Sequence, residues 1–136
     1  MVNINTDLQF GLEMEDKILT LLKEKVNKNI IKTSKYHSFD YCDASNNTFY
    51  ELKTRRNKHD AYPDTMCGYC KLKFAKENPD NKYIFLFCFT DGLYYHKWNI
   101  DKEYSVRAGG RCDRGSLEIA NYFYIKKEDL QKFENI

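Results

Sequence analysis

Three charged residues, Asp40, Glu51 and Lys53, have the types and the spacing needed for chemistry on a phosphate ester. Side chains two residues apart on a β-strand point to the same face, so Glu51 and Lys53 share a face if they lie on a strand. A hairpin loop with an even number of residues would place Asp40 on that face too, because antiparallel partners lie on the same side of a sheet. The sequence therefore predicts a polar face that carries two carboxylates and an ammonium group.

The loop between these residues contains Ser45, Asn46 and Asn47. Asn46 and Asn47 favour a two-residue turn, because asparagine tolerates a positive φ. With that turn, the opposite face of the hairpin would be mostly apolar. It would carry Phe39, Tyr41, Tyr50 and Leu52.

Two carboxylates a few ångströms apart repel each other unless a divalent cation neutralises them, and hard oxygen ligands suit Mg²⁺ or Mn²⁺. Such a metal can polarise a phosphodiester and lower the pKa of a water molecule, while a nearby lysine orients that water or stabilises charge in the transition state. The arrangement predicts hydrolysis of phosphodiester bonds. The alternative is an exposed strand on which Asp40, Glu51 and Lys53 are only solvated.

Length and composition are those of a small globular protein, with 136 residues of which 42% are hydrophobic and 31% charged. This is the size of one ordinary domain. No run approaches the roughly 18 consecutive apolar residues of a membrane span, and the N-terminus lacks the basic and then apolar layout of a signal peptide. We therefore expect an intracellular protein with one domain and no membrane contact. The formal net charge of +2 is too small to indicate a nucleic-acid partner by itself.

Five cysteines, an odd number, in a chain without an export signal indicate reduced thiols rather than a disulfide framework. Cys67 and Cys70 form a Cys-X-X-Cys motif, which at the start of a helix is typical of redox proteins. The polar residues 58–64 argue against that function, since such a motif should follow a buried strand. A zinc site is a second alternative, although the sequence has no second Cys-X-X-Cys motif or histidine pair at ligand spacing. Its other ligands would come from His59, Cys88 or Cys112.

The first half of the chain predicts one helix followed by three strands. Apolar positions recur at helical spacing over residues 7–28, with lysine and glutamate between them. Short strands are predicted at residues 30–31, 38–43 and 48–54, where β-favouring residues alternate with turn residues.

The second half opens with a predicted helix over residues 65–77, which stops before Asn78 and Pro79 because the residue before proline disfavours the helical conformation. The apolar run 83–90 is the expected central strand, and Asp91-Gly92 joins it in a hairpin to a strand over residues 93–99. A loop with glycine and arginine, a further strand and a short last helix complete the order α-β-β-β-α-β-β-β-α. The loop covers residues 106–115 and the strand residues 117–125.

Asp40 followed by Glu51-Leu52-Lys53 on the next strand resembles the motif of the PD-(D/E)XK nuclease superfamily. Phe39 stands where a proline often precedes the aspartate. The resemblance covers residues 11–90 and implies an α/β fold with a restriction-endonuclease-like core, α-β-β-β-α-β, around a mixed central sheet, with a C-terminal hairpin, strand and short helix added. It also implies a metal-dependent deoxyribonuclease, an endonuclease similar to small nucleases of phages and large DNA viruses.

The family's roles can be carried over to matching residues. The resemblance implies that Asp40 and Glu51 bind Mg²⁺, with Mn²⁺ as the alternative, that the Leu52 carbonyl joins them, and that Lys53 is the catalytic lysine. Many members also supply a glutamate from the first helix. Glu15 fits that role, because its spacing from three apolar residues puts it on the otherwise buried face, where a carboxylate needs a partner. These apolar residues are Ile18, Leu19 and Leu22, and Glu13 points away from them.

The second helix of such enzymes often carries a basic residue towards the active site, and Lys71 is the candidate, with Lys73 as the alternative. Basic residues also follow the motif strand and occupy the glycine-containing loop, where they could bind DNA phosphates. The expected partner is DNA, and we leave a homodimer open. A catalytically silent nucleic-acid-binding domain of the same fold is the alternative function. The expected DNA-binding residues are Arg55, Arg56, Lys58, Arg107, Arg111 and Arg114, with His59 beside the first group.

Overall fold

Two helices and two β-sheets make up the part of the chain that the computed structural model describes, residues 4–34, 36–109 and 120–133. The helices are α1, Ile4–Lys25, and α2, Tyr69–Glu77. The strands are β1 Ile31–Lys32, β2 Tyr41–Asp43, β3 Thr48–Thr54, β4 Asp64–Gly68, β5 Lys82–Phe89, β6 Gly92–Lys97, β7 Ser105–Gly109, β8 Ala120–Lys126 and β9 Gln131–Lys132.

The main sheet has six strands in the order β1-β2-β3-β5-β6-β9. β3 and β5 run parallel, while the other neighbouring pairs are antiparallel. Helix α2 lies in the connection between the parallel strands, because parallel neighbours need a long crossover. The smaller sheet has the order β4-β8-β7 and is antiparallel. The mixed main sheet and two helices confirm the predicted α/β class and the restriction-endonuclease-like core.

Strand β5 is buried on both faces, as expected for a central strand with parallel pairing. Its odd-numbered positions 83–89 are aromatic and pack in one cluster with α2 and β8, where Leu72 and Phe123 are fully buried. Its even-numbered positions pack on the other face against α1, where Leu22 is fully buried. The alternation of side chains along one strand therefore builds a core on each face of the sheet.

Most predicted elements are present, with shifted ends. β3 has the predicted bounds, and α1 occupies residues 4–25 rather than 7–28. The predicted last helix is a three-residue 3₁₀ turn, Lys127–Asp129, and β9 follows it. No helix of the described residues is both long and apolar enough to cross a membrane.

Two expectations about the second half are wrong. The predicted helix over residues 65–77 begins only at Tyr69, because the preceding segment, Asp64–Gly68, is β4 and pairs along its length with β8. The predicted loop over residues 106–115 begins as strand β7, which pairs with the other edge of β8. β4 pairs with a strand distant in sequence, and β7 pairs with the next strand along the chain, so neither pairing is visible in the short segment itself. Residues 110–115 of that loop lie outside the described residues.

Candidate active site

Asp40 lies just before β2, opposite the middle of β3. Its amide donates a hydrogen bond of 3.0 Å to the carbonyl of Tyr50, and its Oδ2 accepts one of 2.8 Å from the amide of Leu52. β2 pairs with β3 only as far as Tyr50, so the Asp40 carboxylate replaces a strand partner at Leu52. The side chain is therefore held at the edge of β3 where the motif residues lie.

The hairpin between β2 and β3 has an even loop, as the parity argument requires. Asp43 pairs with Thr48, which leaves the four residues 44–47 as the loop. The expected two-residue turn at Asn46 and Asn47 is wrong, because Ala44–Asn46 forms a 3₁₀ turn and only Asn47 has a positive φ, of 50°. An even loop of either length keeps Asp40 and Glu51 on one face.

Strict alternation predicted that Phe39 shares a face with Tyr41, Tyr50 and Leu52, and this prediction is wrong. It packs in the cluster with α2, whereas the other three pack against α1. The reason is that β2 begins only at Tyr41, so the alternation of a strand does not extend back to Phe39.

Glu51 carries a buried carboxylate on the face of β3 that α2 covers. Glu51 is 4% exposed, and its Oε2 lies 2.8 Å from the Lys71 ammonium. Burial, together with the neighbouring Asp40 carboxyl, raises the pKa of Glu51 to about 8, although the positive charges of Lys53 and Lys71 act in the opposite direction. The charged form of the Glu51 carboxyl is therefore disfavoured unless a cation lies beside it.

The donor set fits a divalent cation. Glu51 Oε2 is buried and has no hydrogen bond of good geometry, even though the Lys71 ammonium is close. The amide and carbonyl of one strand residue point to the same side, so the Leu52 carbonyl faces Asp40 as its amide does. Two carboxylates and a carbonyl are the hard oxygen ligands that Mg²⁺ and Mn²⁺ prefer.

Lys53 lies on the same face of β3 as Glu51, two residues along the strand. Its positive charge acts against the burial that raises the pKa of both the Glu51 carboxyl and the Cys67 thiol of β4, so the ammonium lies within electrostatic reach of both groups. The structure therefore brings Asp40, Glu51 and Lys53 together at one site.

Glu15 lies on α1 near Asp40. Burial and the Asp40 charge raise the pKa of its carboxyl, while Lys32 acts in the opposite direction. The Tyr41 hydroxyl donates a hydrogen bond of 2.7 Å to the backbone carbonyl of Glu15, so the helix is tied to the strand just after Asp40. Tyr41 was missed in the sequence, where it looked like an ordinary core residue.

The second helix supplies Lys71, and the alternative Lys73 is exposed to solvent. Lys71 pairs with Glu51, and its ammonium lies 5.5 Å from the centre of the Phe39 ring. Its side chain is 17% exposed, so the charge is held between a carboxylate and an aromatic face.

The Cys-X-X-Cys motif is split between two elements, with Cys67 in β4 and Cys70 in α2. Burial raises the pKa of the Cys67 thiol to about 12, so the reactive thiolate of a redox motif is disfavoured. Both thiols are free. Among the described residues, the three potential metal ligands within 4.8 Å of one another are His59, Asp60 and Asp91, and no cysteine belongs to this group.

The group of His59, Asp60 and Asp91 does not include Asp40 or Glu51. His59 Nδ1 lies 2.6 Å from Asp91 Oδ2, its amide donates to Asp91 Oδ1, and its ring stacks on Tyr94 with 4.3 Å between centroids. These contacts join the loop after β3 to the turn between β5 and β6. They explain the positions of His59 and Asp91 without a metal.

The basic residues expected to bind DNA differ in their exposure and in their contacts. Arg55 donates a hydrogen bond of 2.6 Å to the Met66 carbonyl of β4, while Arg56 and Lys58 are exposed. Arg107 pairs with Asp64 at 2.7 Å and lies over the Tyr124 ring, so it links β7 to β4 and β8. Arg111 and Arg114 lie outside the described residues.

Residues 5–136, nearly the whole chain, match the model of a protein family described as "Phage putative PDDEXK endonuclease". No curated protein and no solved structure is similar enough to the chain to count as a match. The family match agrees with the mixed sheet and with the arrangement of Asp40, Glu51 and Lys53. The chain therefore belongs to the phage endonuclease family of the PD-(D/E)XK nuclease superfamily.

Proposed function

We propose that this nuclease is a metal-dependent endonuclease that hydrolyses phosphodiester bonds of DNA. The observation that carries the proposal is the buried Glu51 carboxylate, which lies beside the Asp40 carboxyl with its Oε2 lacking a hydrogen bond of good geometry. A buried carboxylate beside a second carboxyl group is costly unless a cation compensates the charge. Such a pair is therefore better explained by metal binding than by stability.

Asp40 and Glu51 would hold the cation, with the Leu52 carbonyl as a third ligand and Glu15 as a further carboxylate. Mg²⁺ is the expected metal, and Mn²⁺ has the same ligand preference. When bound, the cation would polarise the phosphodiester and lower the pKa of the attacking water. Asp40 is already oriented for this role by the amide of Leu52.

Lys53 and Lys71 have different roles in this proposal. Lys53 would orient the attacking water or stabilise negative charge that develops on the phosphate. Lys71 lies 2.8 Å from Glu51 Oε2 and would hold that carboxylate in place by charge, with its own position fixed against Phe39. Lys53 would contact the reacting atoms, whereas Lys71 would act only through Glu51.

DNA would be held by the basic residues near the end of β3 and in the segment after β7. Arg56 and Lys58 are exposed in the segment after β3, and Arg55 joins the end of β3 to β4. Arg111 and Arg114 are expected to add phosphate contacts. Arg107 would contribute less, since Asp64 already pairs with it.

The test is cleavage of a closed circular DNA by the purified protein with Mg²⁺, with Mn²⁺ and with a chelator. We expect nicking or linearisation with either metal, none with chelator, and strong loss of activity in Glu51→Gln. Glu77→Gln, at the exposed end of α2, is the matched control and should cut as the wild type does.

Cutting that persists in chelator would contradict the metal mechanism. Degradation of linear DNA without any cutting of circles would replace the endonuclease by an exonuclease. DNA binding without cleavage under all conditions would support the catalytically silent domain instead.

A further inference from the structure

The loop that leads from β1 to β2 ends at Asp40. β1 pairs with β2 at Lys32 and Tyr41, and the Thr33 amide continues this ladder with a hydrogen bond of 3.0 Å to the Asp40 carbonyl. Between Thr33 and Asp40 the described residues belong to no helix or strand. The shape of this loop therefore depends on individual hydrogen bonds and side-chain contacts.

Two side chains of the loop bind the backbone of Phe39, the residue before Asp40. The Phe39 amide donates a hydrogen bond of 3.0 Å to Nδ1 of His37, and the Phe39 carbonyl accepts one from the Thr33 hydroxyl. Phe39 is 1% exposed, and a buried amide without an acceptor is costly. The His37 ring therefore supplies the acceptor that a neighbouring strand supplies elsewhere in the sheet.

This hydrogen bond fixes the chemical state of the His37 ring. A backbone amide can only donate, so Nδ1 must offer a free lone pair and the ring proton must lie on Nε2. A protonated imidazolium has two N–H donors and no acceptor. Only the neutral ring can hold the Phe39 amide in this way.

The His37 ring also packs against the two elements that carry Glu51 and Lys71. It stacks on Phe49 of β3, with 5.1 Å between centroids and 11° between planes, and it meets Phe74 of α2 edge-on at 5.6 Å. Phe49 is two residues before Glu51 on one face of the strand, and Phe74 is three residues after Lys71 on one side of the helix. His37 thus connects the loop to both elements.

The position of Phe39 decides where Asp40 lies, because the two residues share a peptide group. The Asp40 carboxyl lies beside that of Glu51, and its Oδ2 accepts a hydrogen bond of 2.8 Å from the Leu52 amide. A displacement of about 1 Å would break this hydrogen bond. The contact between His37 and the Phe39 amide keeps the peptide from turning and so keeps the carboxylate in place.

We propose that His37 is a positioning residue of the active site, which holds the Asp40 carboxylate in place through the hydrogen bond between its neutral ring and the Phe39 amide. His37 acts through Phe39 and Asp40 and does not touch the reacting atoms. The use of Asp40 as a metal ligand rests on the proposed function, whereas its positioning can be measured in the metal-free protein.

Two substitutions of His37 separate its hydrogen bond from its packing. His37→Phe keeps an aromatic ring that can stack on Phe49 and removes the acceptor. His37→Asn loses the ring, but its side-chain oxygen can accept a hydrogen bond from the amide two residues later, as asparagine does in turns. Ser38→Ala is the control in the same loop, because the Ser38 hydroxyl makes no hydrogen bond to another described residue.

Hydrogen exchange of the Leu52 amide reports the position of the Asp40 carboxylate in the metal-free protein. We expect this amide to exchange roughly tenfold faster in His37→Phe than in the wild type, the scale of one lost hydrogen bond. It should exchange at the wild-type rate in His37→Asn and in Ser38→Ala. The amide of Leu86, which is fully buried in β5, should exchange equally in all four proteins.

Binding of Mn²⁺, measured by calorimetry, relates the position of Asp40 to the metal. The Kd should rise roughly tenfold in His37→Phe, the scale for a group that orients a metal ligand, and should stay at the wild-type value in His37→Asn. A wild-type protein that binds no Mn²⁺ would contradict the proposed function. The exchange of the Leu52 amide would still decide the role of His37.

Unchanged exchange of the Leu52 amide in His37→Phe would overturn the positioning role. Faster exchange in His37→Asn but not in His37→Phe would also overturn it, because the packing of the ring rather than its nitrogen would then hold the loop. Equal acceleration of the Leu52 and Leu86 amides in His37→Phe would show that His37 only stabilises the fold. If Mn²⁺ binds equally well to His37→Phe and to the wild type, His37 does not position a metal ligand.

Discussion

At the scale of single residues, the candidate site depends on charges that are held in low-dielectric surroundings. Glu51 is buried beside Asp40 and contacts Lys71, while Lys53 lies two residues further along β3. Charges in such surroundings interact more strongly than on the surface. Single substitutions should therefore separate metal binding from the chemical step.

Lys53→Ala should lower the single-turnover cleavage rate by roughly 10²–10³-fold, the usual effect of losing one group that stabilises transition-state charge. Binding of Mn²⁺ and of DNA should change little, because Lys53 is not a proposed metal ligand. Glu51→Gln should instead weaken Mn²⁺ binding, measured by calorimetry. A Lys53→Ala enzyme as active as the wild type would show that this lysine has no part in the reaction.

Tyr41→Phe should weaken the binding of Mg²⁺ without disturbing the core. The substitution keeps the buried ring and removes the hydrogen bond to the Glu15 carbonyl, which ties α1 to the strand beside Asp40. We expect a loss of about 1 kcal/mol in unfolding free energy. The Mg²⁺ concentration for half-maximal cleavage should rise roughly tenfold, as for other groups that orient a metal ligand.

The control for this prediction is Tyr50→Phe, because Tyr50 is the cross-strand partner of Tyr41 and is also buried. It should leave the Mg²⁺ dependence unchanged. Identical Mg²⁺ curves for both variants would show that the Tyr41 hydroxyl does not position Glu15.

At the scale of elements, the β2–β3 hairpin sets the spacing of the two motif carboxylates. Asp43 closes this hairpin, since it accepts hydrogen bonds from Ser45 and Asn46 in the turn and from Asn27 after α1. These donors lower the pKa of Asp43, with the Ser45 hydroxyl as the largest cause. The turn that determines the register of Asp40 against Glu51 is thus held by a charged acceptor.

Asp43→Asn should therefore destabilise the protein by about 1–3 kcal/mol at neutral pH, because an amide cannot accept all three hydrogen bonds. The folded pKa of Asp43 lies below its unfolded value, so its contribution is present above the unfolded pKa and is lost as pH falls through the folded pKa. The difference in unfolding free energy between wild type and variant should therefore disappear as the pH falls below about 4. Urea unfolding across pH measures this difference.

Asp80→Asn is the control, since Asp80 is exposed in the turn before β5. Its stability should follow that of the wild type at each pH. If the difference in unfolding free energy between Asp43→Asn and the wild type stays constant down to the lowest pH measured, Asp43 does not stabilise the turn as a charged carboxylate.

At the scale of the whole molecule, His96 joins three parts of the chain. This histidine of β6 lies 2.7 Å from the Tyr104 hydroxyl through Nε2 and 3.1 Å from the Asp129 carbonyl through Nδ1. It is buried, and burial lowers its pKa. The neutral ring therefore links the main sheet to the segment before β7 and to the turn before β9.

Stability should fall as pH is lowered through about 6.5, because His96 takes up a proton more readily in the unfolded chain. The loss should continue until pH reaches the lower folded pKa. His96→Gln should flatten this part of the stability curve, measured by thermal unfolding. Tyr104→Phe keeps the titrating ring and should keep the slope at reduced stability, whereas an unchanged slope in His96→Gln would contradict the prediction.

The sequence by itself determined what depends on neighbours along the chain. The alternation in residues 48–54 predicted β3 with its observed bounds, and the even loop placed Asp40 and Glu51 on one face. Helical spacing likewise placed Glu15 near the strands, where burial and then the Asp40 charge raise the pKa of its carboxyl. These features follow from the two-residue and 3.6-residue periods of strands and helices, which are local.

Only the tertiary structure decided what depends on partners distant in sequence. β4 is a strand because β8 pairs with it, although its residues read as the start of a helix. Lys71 rather than Lys73 meets Glu51 because of how α2 packs on the sheet. Arg107 of β7 is paired because Asp64 of β4 lies across β8 in the same sheet. In each case the deciding energy comes from long-range pairing and packing, which outweigh local propensity and leave no signal in a short stretch of sequence.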